Sequence, residues 1–500
     1  MHLSKFEIKQ SIGAFRKKAL DAYKKKNLNE ALYWIELCSI VGCQFNLIYE
    51  DPEIEELYVK IAKDVNKPIV DYVPNPHRIV LYDEFCISYV LGIQWIDALA
   101  ATGKEIRYVT TRPIQDDKLR AHILDRAKRY NNIDICVITE DSSIAIGQAL
   151  FKSITSFEPS QLILQMRVNS PANLMLGALP QEILKYNINL DDQTLWYGTH
   201  GIDYILEFRP FGASVSMQKR NFSKDKLLMV PFYPANDENA FLGFPKECTS
   251  DKLVIFSGGD FYKTLDDDRT YWKLISQILH RWENVVFLFA SKSIPEGDKA
   301  IKEFITSEGL EGRFIHITFR PDIYQVFAHC DIYMGTSPTS GSLMSQLAAV
   351  NKKPILQYYT KGTPDDETEQ AICWNAKFQI SYDNELDFMT EAERLIIDKS
   401  YRVSQGERLY DAMIKPDQFN ETVKRTLETN KTQFAINEYY IDYNILDNRW
   451  YYLEKAGFRN AMPYVYSLLG PWDCFKYAPC VFFKKNINRV INNIKSWISK

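Results

Sequence analysis

The sequence predicts an α/β protein of two doubly wound, mostly parallel sheets facing a cleft, with helices added at both ends. Three observations predict it. Strand-like and helix-like segments alternate from Arg78 onward. The alternation pauses after "LLMVPFYP" in a loop rich in Asn, Gly and Pro, then restarts at "KLVIFSGG". The 500 residues, 46% hydrophobic and 13% aromatic, also exceed what one ordinary core holds. The expected units are a helical extension (residues 1–75), a first sheet domain (76–245), a second (246–400) and a helical C-terminal region with a basic amphipathic end (401–500).

Residues 5 to about 70 carry apolar positions at helical spacing, broken at "KKNLNE", and resemble a single tetratricopeptide-type hairpin. One such hairpin cannot bury its own apolar face, so a helical cap packed on the next domain is expected rather than a free peptide-binding array. The Pro-rich "DYVPNPH" marks the boundary. "RIVLYDEF", "EIRYVTT", "IDICVIT" and "PSQLILQMRV" read as buried strands; "SYVLGIQWIDALAATG", closed by Gly103, and "DDKLRAHILDRAKRY" read as helices. The second series runs through helix "RTYWKLISQILHRW", strand "NVVFLFA", helix "GDKAIKEFITSEG", strand "RFIHIT", helix "DIYQVFAHC", strand "DIYMG", helix "LMSQLAAV" and strand "KPILQY". In such sheets ligands sit beyond the carboxyl ends of the strands, so "YDEF", "SGGDFYK" and "GTSPTSGS" should border one cleft.

Composition excludes several classes. A formal net charge of -4 gives no global basic field, so nucleic acid is not an expected partner. The nine cysteines form no CxxC pair and the first residues lack an apolar signal core, which predicts a reduced, cytoplasmic setting. Seven dispersed histidines show no metal-ligand spacing, so no metal is expected. No segment supplies the ~20 apolar residues of a spanning helix.

Two loops are suited to an anion. "TSPTSGS" lies between a strand and a helix, so its backbone N–H groups converge where the helix dipole favours negative charge; the alternative is a Ser/Thr cap with a Gly turn. In "FSGGDFYK", Gly258 and Gly259 let backbone approach a ligand, and Lys263 can set a point charge against phosphate oxygens. Neither GxxxxGK[ST] nor a GxGxxG after a first strand is present, which disfavours P-loop nucleotidases and ordinary dinucleotide enzymes. "LDDDR", Asp266 to Asp268, precedes a helix and reads as N-capping rather than as an Asp-x-Asp metal site.

The order "YGTHGIDYIL", "LLMVPFYP", "FSGGDFYK" and "RPDIYQVFAHCDIYMGTSPTSGSLMSQLA" resembles glycosyltransferases of the GT-B fold, closest to the O-linked N-acetylglucosamine transferases and bacterial cytoplasmic N-glucosyltransferases. The similarity spans Leu195 to Tyr358. It implies two Rossmann-like domains, the first for the acceptor and the second for the nucleotide sugar, expected to be UDP-linked. It also implies that Lys263 with Thr339, Ser340, Gly341 and Ser342 meets the diphosphate. Ser345 stands where those relatives place a ribose-binding Asp, so that contact does not carry over. The Glu-x7-Glu signature of many retaining GT-B enzymes is absent.

Transfer at an anomeric carbon needs no metal if lysine, helix dipole and backbone donors neutralise the departing diphosphate, and an inverting reaction needs a base. Candidate catalytic residues are His200 in "YGTHG" and Asp83 or Glu84 in "LYDEF". The final run, residues 483–500, spaces apolar residues helically among lysines and arginine, and reads as a helix on an anionic membrane surface or as one returning to pack on the first domain. The expected function is hexose or N-acetylhexosamine transfer to a glycan or a protein side chain, on a peripheral, cytoplasmic protein. A catalytically silent GT-B subunit and a sugar-nucleotide epimerase are the alternatives.

Overall fold

The computed structural model describes residues 3–84, 89–111, 118–234, 239–318, 320–359, 362–455 and 461–498. Three helices form the N-terminal extension. In α1 (Lys5–Lys24) Ser4 and Glu7 make a capping box. Asn27 in the Asn-rich break caps α2 (Leu28–Phe45), and Asp51 followed by Pro52 starts α3 (Pro52–Val65). The apolar faces of this hairpin do not stay open. Phe15, Trp34, Ile35 and Phe45 pack in one core with Leu174, Leu195 and Tyr197 of the first domain and with Val465, Leu469 and Val481 from the C-terminal end. The extension is therefore a cap.

The first sheet is built from β1 (Asn75–Asp83), β2 (Glu105–Thr110), β3 (Ile133–Val137), β4 (Pro159–Gln165), β5 (Leu184–Ile188), β6 (Tyr204–Glu207) and β7 (Leu227–Met229). Connecting helices are α4 (Tyr89–Ala100), α5 (Lys118–Lys128), α6 (Ser143–Phe157), the short α7 (Asn173–Leu176) and α8 (Pro210–Lys219). Strand order is β3-β2-β1-β4-β5-β6-β7, with every pairing parallel. The second sheet repeats the plan with β8 (Leu253–Gly258), β9 (Val285–Ala290), β10 (Phe314–Ile317), β11 (Ile332–Met334), β12 (Ile355–Tyr358) and β13 (Ser381–Tyr382), in the order β10-β9-β8-β11-β12-β13. Its helices are α9 (Thr270–Arg281), α10 (Pro295–Glu308), α11 (Ile323–His329), α12 (Ser342–Val350) and α13 (Glu385–Ile397). Both β8 and β9 are buried along their whole length, as strands covered by helices on two faces must be. Strand order reverses at β1/β4 and at β8/β11, and these switch points are where parallel sheets open a crevice.

In α14 (Lys399–Ala412) the chain still belongs to the second sheet, with Gly406 so close to the Lys352 carbonyl that a Cβ would stand 1.9 Å from it. It then returns to the first domain: Phe419 of α15 (Pro416–Thr429) sets its ring against Trp95 of α4, centroids 5.3 Å apart. A strap carrying Ile436 and Tyr439 follows along α8. The end comprises α16 (Tyr443–Lys455), α17 (Ala461–Tyr477), kinked at Gly470–Pro471, and α18 (Pro479–Ile498). Among the described residues these last two helices pack on α1. Among the described residues no helix is long and apolar enough to cross a membrane.

Candidate functional site

The two anion-suited loops leave adjacent strands of the second sheet at its switch point and touch one another. After β8, Gly258 pairs beside Ala290 of β9, and a Cβ on it would meet the Met344 methyl at 2.8 Å. Gly259 has φ +154°, backbone that side-chain-bearing residues rarely adopt. The chain then makes a helical turn, Phe261–Thr264, that carries Lys263. The second loop, after β11, is pinned to this turn: the Thr339 amide donates to the Lys263 carbonyl at 3.1 Å, and the Thr336 hydroxyl donates to the Thr339 carbonyl at 2.7 Å.

Lys263 runs back over Gly259 to the start of α12. Its Cδ lies 3.4 Å from the Cβ position of Gly259, and its Nζ lies 3.8 Å from that of Gly341. Gly341 is the N-cap of α12, and no side chain caps that helix, so the Ser/Thr-cap alternative does not describe this loop. Thr339 is buried, whereas Ser340, Gly341 and Ser342 are half-buried around the lysine. A cation and the uncapped N-terminus of a nine-residue helix thus share one recess. Burial is the main influence on the ammonium and lowers its pKa; Asp260 and Glu367 raise it, while Arg209 adds to the lowering.

Ser345 does not face this recess. It is fully buried one turn further along, beside the Tyr333 hydroxyl in the sheet. The acidic run "LDDDR" behaves as a cap in part. Asp266 accepts from the Thr270 amide at 2.9 Å, but from beyond a left-handed Arg269 that occupies the N-cap position itself, and Asp267 and Asp268 are exposed. Among the described residues no group of three His, Cys, Asp or Glu stands close enough to hold a metal ion.

The first domain reaches the recess through a residue that sequence patterns did not mark. Arg209, at the end of β6, forks onto Asp192 at 2.6 and 3.1 Å and extends to Glu367 of the second domain at 2.9 Å. Its guanidinium also lies over Phe208 and Phe211. Burial lowers its pKa, but the two carboxylates outweigh burial and hold it above the usual value. Next to it, the Phe211 amide donates to Gln370 of the second domain at 2.7 Å. Beneath α8 lies Glu207, fully buried, accepting from Asn189 and Ser216, and burial raises its pKa to about 7.

The three sequence-predicted catalytic residues fare differently. Asp83 ends β1 at the switch point, but it is buried and accepts from the Tyr108 hydroxyl at 2.8 Å. Glu84 is also buried and accepts from the Arg167 amide at 3.0 Å. His200 has an exposed ring, and its backbone amide, with that of Gly198, donates to Glu55 of α3. Glu55 of α3 and Leu176 of α7 lie against its loop, whereas Lys263 stands near α12, Arg209 and Glu367. Asp191, just past β5 at the carboxyl edge, has features that sequence reasoning missed. It lines a small recess with Met166, Asn187 and Trp196, and burial raises its carboxyl pKa to about 6, with Asp192 adding to the effect and Arg220 and Arg167 opposing it.

A recess bordered by Ser340, Thr363, Glu367 and Thr368 adjoins a cavity of about 700 Å³, with Tyr359, Asp365 and Ser381 common to both. Lys263 does not line the larger cavity, whose wall includes Asp366, Trp374, Phe378 and Phe434.

No family model matches the sequence, and no curated protein matches it. Solved structures do share its fold. A mutant O-GlcNAc transferase from Thermobaculum terrenum aligns with TM-score 0.52 at 13% identity, over 90% of this chain and 83% of that one. Anabaena HepE in complex with UDP and glucose aligns at 0.48, with 12% identity and coverage of 70% and 99%. The UDP-GlcNAc 2-epimerase from Neisseria meningitidis bound to UDP-GlcNAc aligns at 0.46, with 11% identity and coverage of 71% and 100%. The chain has the GT-B architecture, two Rossmann-like domains across a cleft, with helical additions at both of its own ends.

Proposed function

We propose that this chain is a glycosyltransferase moving a hexose or N-acetylhexosamine from a UDP-linked sugar to an acceptor held against the first domain. The observation that carries the reading is the Lys263 ammonium beside Gly341 at the uncapped start of α12, a site suited to a diphosphate. In the reaction the bond from the anomeric carbon to the β-phosphate oxygen breaks and its electron pair leaves on the diphosphate. Lys263 and the α12 amides stabilise that charge, so no metal is required. The acceptor oxygen or nitrogen bonds to the anomeric carbon and gives up its proton to a base. Asp191 suits that role better than Asp83, which is already engaged by Tyr108.

The cavity of about 700 Å³ beside the Ser340 recess, walled by second-domain residues, by Pro210 and by the strap that runs along α8 of the first domain, favours a glycan acceptor over a protein side chain. Its rings, Trp374 and Phe434, stand among carboxylates that can accept sugar hydroxyls. Calorimetric titration of the purified chain with UDP and a panel of UDP-sugars, followed by assay of UDP release with oligosaccharide acceptors, tests the proposal. UDP binding with acceptor-dependent release supports it. Binding without turnover on any acceptor identifies a silent subunit, and no UDP binding removes the donor assignment.

A further inference from the structure

The C-terminal helices combine packing on the cap with an exposed apolar face. On one side of α17 and α18, Cys474, Ala478 and Val481 are buried against the N-terminal helices, Lys484 pairs with Glu7 at 2.7 Å, and Lys18 pairs with Asp473. On the other side Phe483, Ile487 and Val490 follow one another at helical spacing and are 51%, 56% and 57% exposed. Trp472 and Phe475, on α17, extend the patch at 77% and 44% exposure. Phe475 sets its ring against those of Phe482 and Phe483, so the aromatic residues form one surface cluster beside the Gly470–Pro471 kink.

Charge identifies what this face fits. Residues 461–500 contain six lysines and arginines and a single acid, Asp473, in a chain whose formal net charge is -4. That acid, like Glu7 of α1, is already paired with a lysine. Lys476 is exposed, and Lys485 lies with its ammonium over the Tyr466 ring. An apolar stripe with an exposed tryptophan and flanking cations suits the boundary between acyl chains and anionic headgroups, whereas a protein partner's core would leave these lysines unmatched.

We infer that α17 and α18 dock the protein on an anionic lipid surface through Trp472, Phe475, Phe483, Ile487 and Val490, with the buried side of the same helices fixed to α1. The cap thus becomes a rigid mount that holds the cleft between the two sheets at a set orientation to a membrane.

Cosedimentation of the full chain with phosphatidylglycerol/phosphatidylcholine vesicles, beside phosphatidylcholine alone, tests it. Preferential binding to the anionic vesicles that weakens with salt is expected. Replacing Phe483, Ile487 and Val490 together by Ser should lower that binding on the order of a hundredfold, since three half-exposed apolar side chains lose their burial. Lys476→Glu with Lys485→Glu should lower it by roughly fivefold or more for each cation. Both variants should melt as the parent does, whereas Lys484→Glu, which breaks the pair with Glu7, should lower the melting temperature. Equal or absent binding to the two vesicle types overturns the inference. So does an intact chain that self-associates through this face, seen as a dimer in sedimentation that the triple variant makes monomeric.

Discussion

Replacing Lys263 by Met separates a binding cation from a structural one, because the two roles predict opposite signs. Met keeps the aliphatic stem that crosses Gly259 and removes only the charge. In the free protein that charge is poorly accommodated: burial lowers its pKa, and the nearby Asp260 and Glu367 do not restore it against Arg209. The melting temperature of Lys263→Met should therefore equal or exceed that of the parent. A lysine whose folded pKa is depressed binds fewer protons folded than unfolded, so parent stability should rise relative to the variant as pH climbs towards 10.5, the unfolded value. The ligand-bound state should show the reverse. One charge-assisted hydrogen bond to a diphosphate is worth about 1.5 to 3 kcal/mol. The dissociation constant for UDP should thus rise by roughly ten- to 150-fold in calorimetry. A variant that melts lower and binds UDP as tightly as the parent would refute the assignment, making Lys263 a packing residue.

Further expectations concern the same cleft. Gly341→Val should fold normally, since φ is -117° and a Cβ there meets only ordinary contacts, yet it should abolish UDP binding by filling the space beside the Lys263 ammonium; unchanged affinity would place the phosphates elsewhere. Arg209→Met should destabilise by about 3 to 5 kcal/mol in denaturant titration, because it strands Asp192 and Glu367 without their shared cation, whereas Glu367→Gln should cost much less. Burial raises the Glu207 pKa to about 7, so its stabilising contribution is present below its unfolded value near 4.5 and is lost as pH rises through 7. Glu207→Gln should consequently gain stability relative to the parent between pH 5 and pH 8, and parallel stability curves would contradict this.

The sheets were legible because buried parallel strands read as continuous apolar runs, and "KLVIFSGG", "NVVFLFA" and "RIVLYDEF" are such runs. Less legible were β5 and β6, "LKYNI" and "YILE", where short strands carry polar residues that become buried only through partners. The two loops suited to an anion could be singled out because glycine and lysine have local reasons to occur where they do. Arg209, Asp192 and Glu367 were not, since their significance lies in a contact across 158 residues of chain that no local pattern encodes. The same distance effect governs the tail. Its helical period was plain, but only the packed structure shows Val481 facing inward, in the core shared with α1, and Phe483 outward.

The choice of base yields the last prediction. An acceptor must lose a proton as it bonds to the sugar, and a group titrating near 6 is charged at neutral pH while still able to take that proton. Asp191 meets this requirement because burial and the neighbouring Asp192 raise its pKa to about 6. Asp83 and Glu84 sit at the same carboxyl edge but already accept hydrogen bonds from Tyr108 and Arg167. Their substitution by amides should appear mainly as lost stability. The exposed His200 ring stands on the loop fastened to Glu55 of the cap. Asp191→Asn should lower turnover by roughly a hundredfold or more, the range for a general base, with UDP affinity unchanged. In the parent, turnover should fall as pH drops through about 6, because protonation removes the base. That acid limb should vanish in Asp191→Asn and persist in His200→Gln. A variant at Asp191 that retains both its rate and its acid limb, beside a His200→Gln protein that loses them, would move the proton transfer to the histidine and require the acceptor to approach from the cap side of the first sheet.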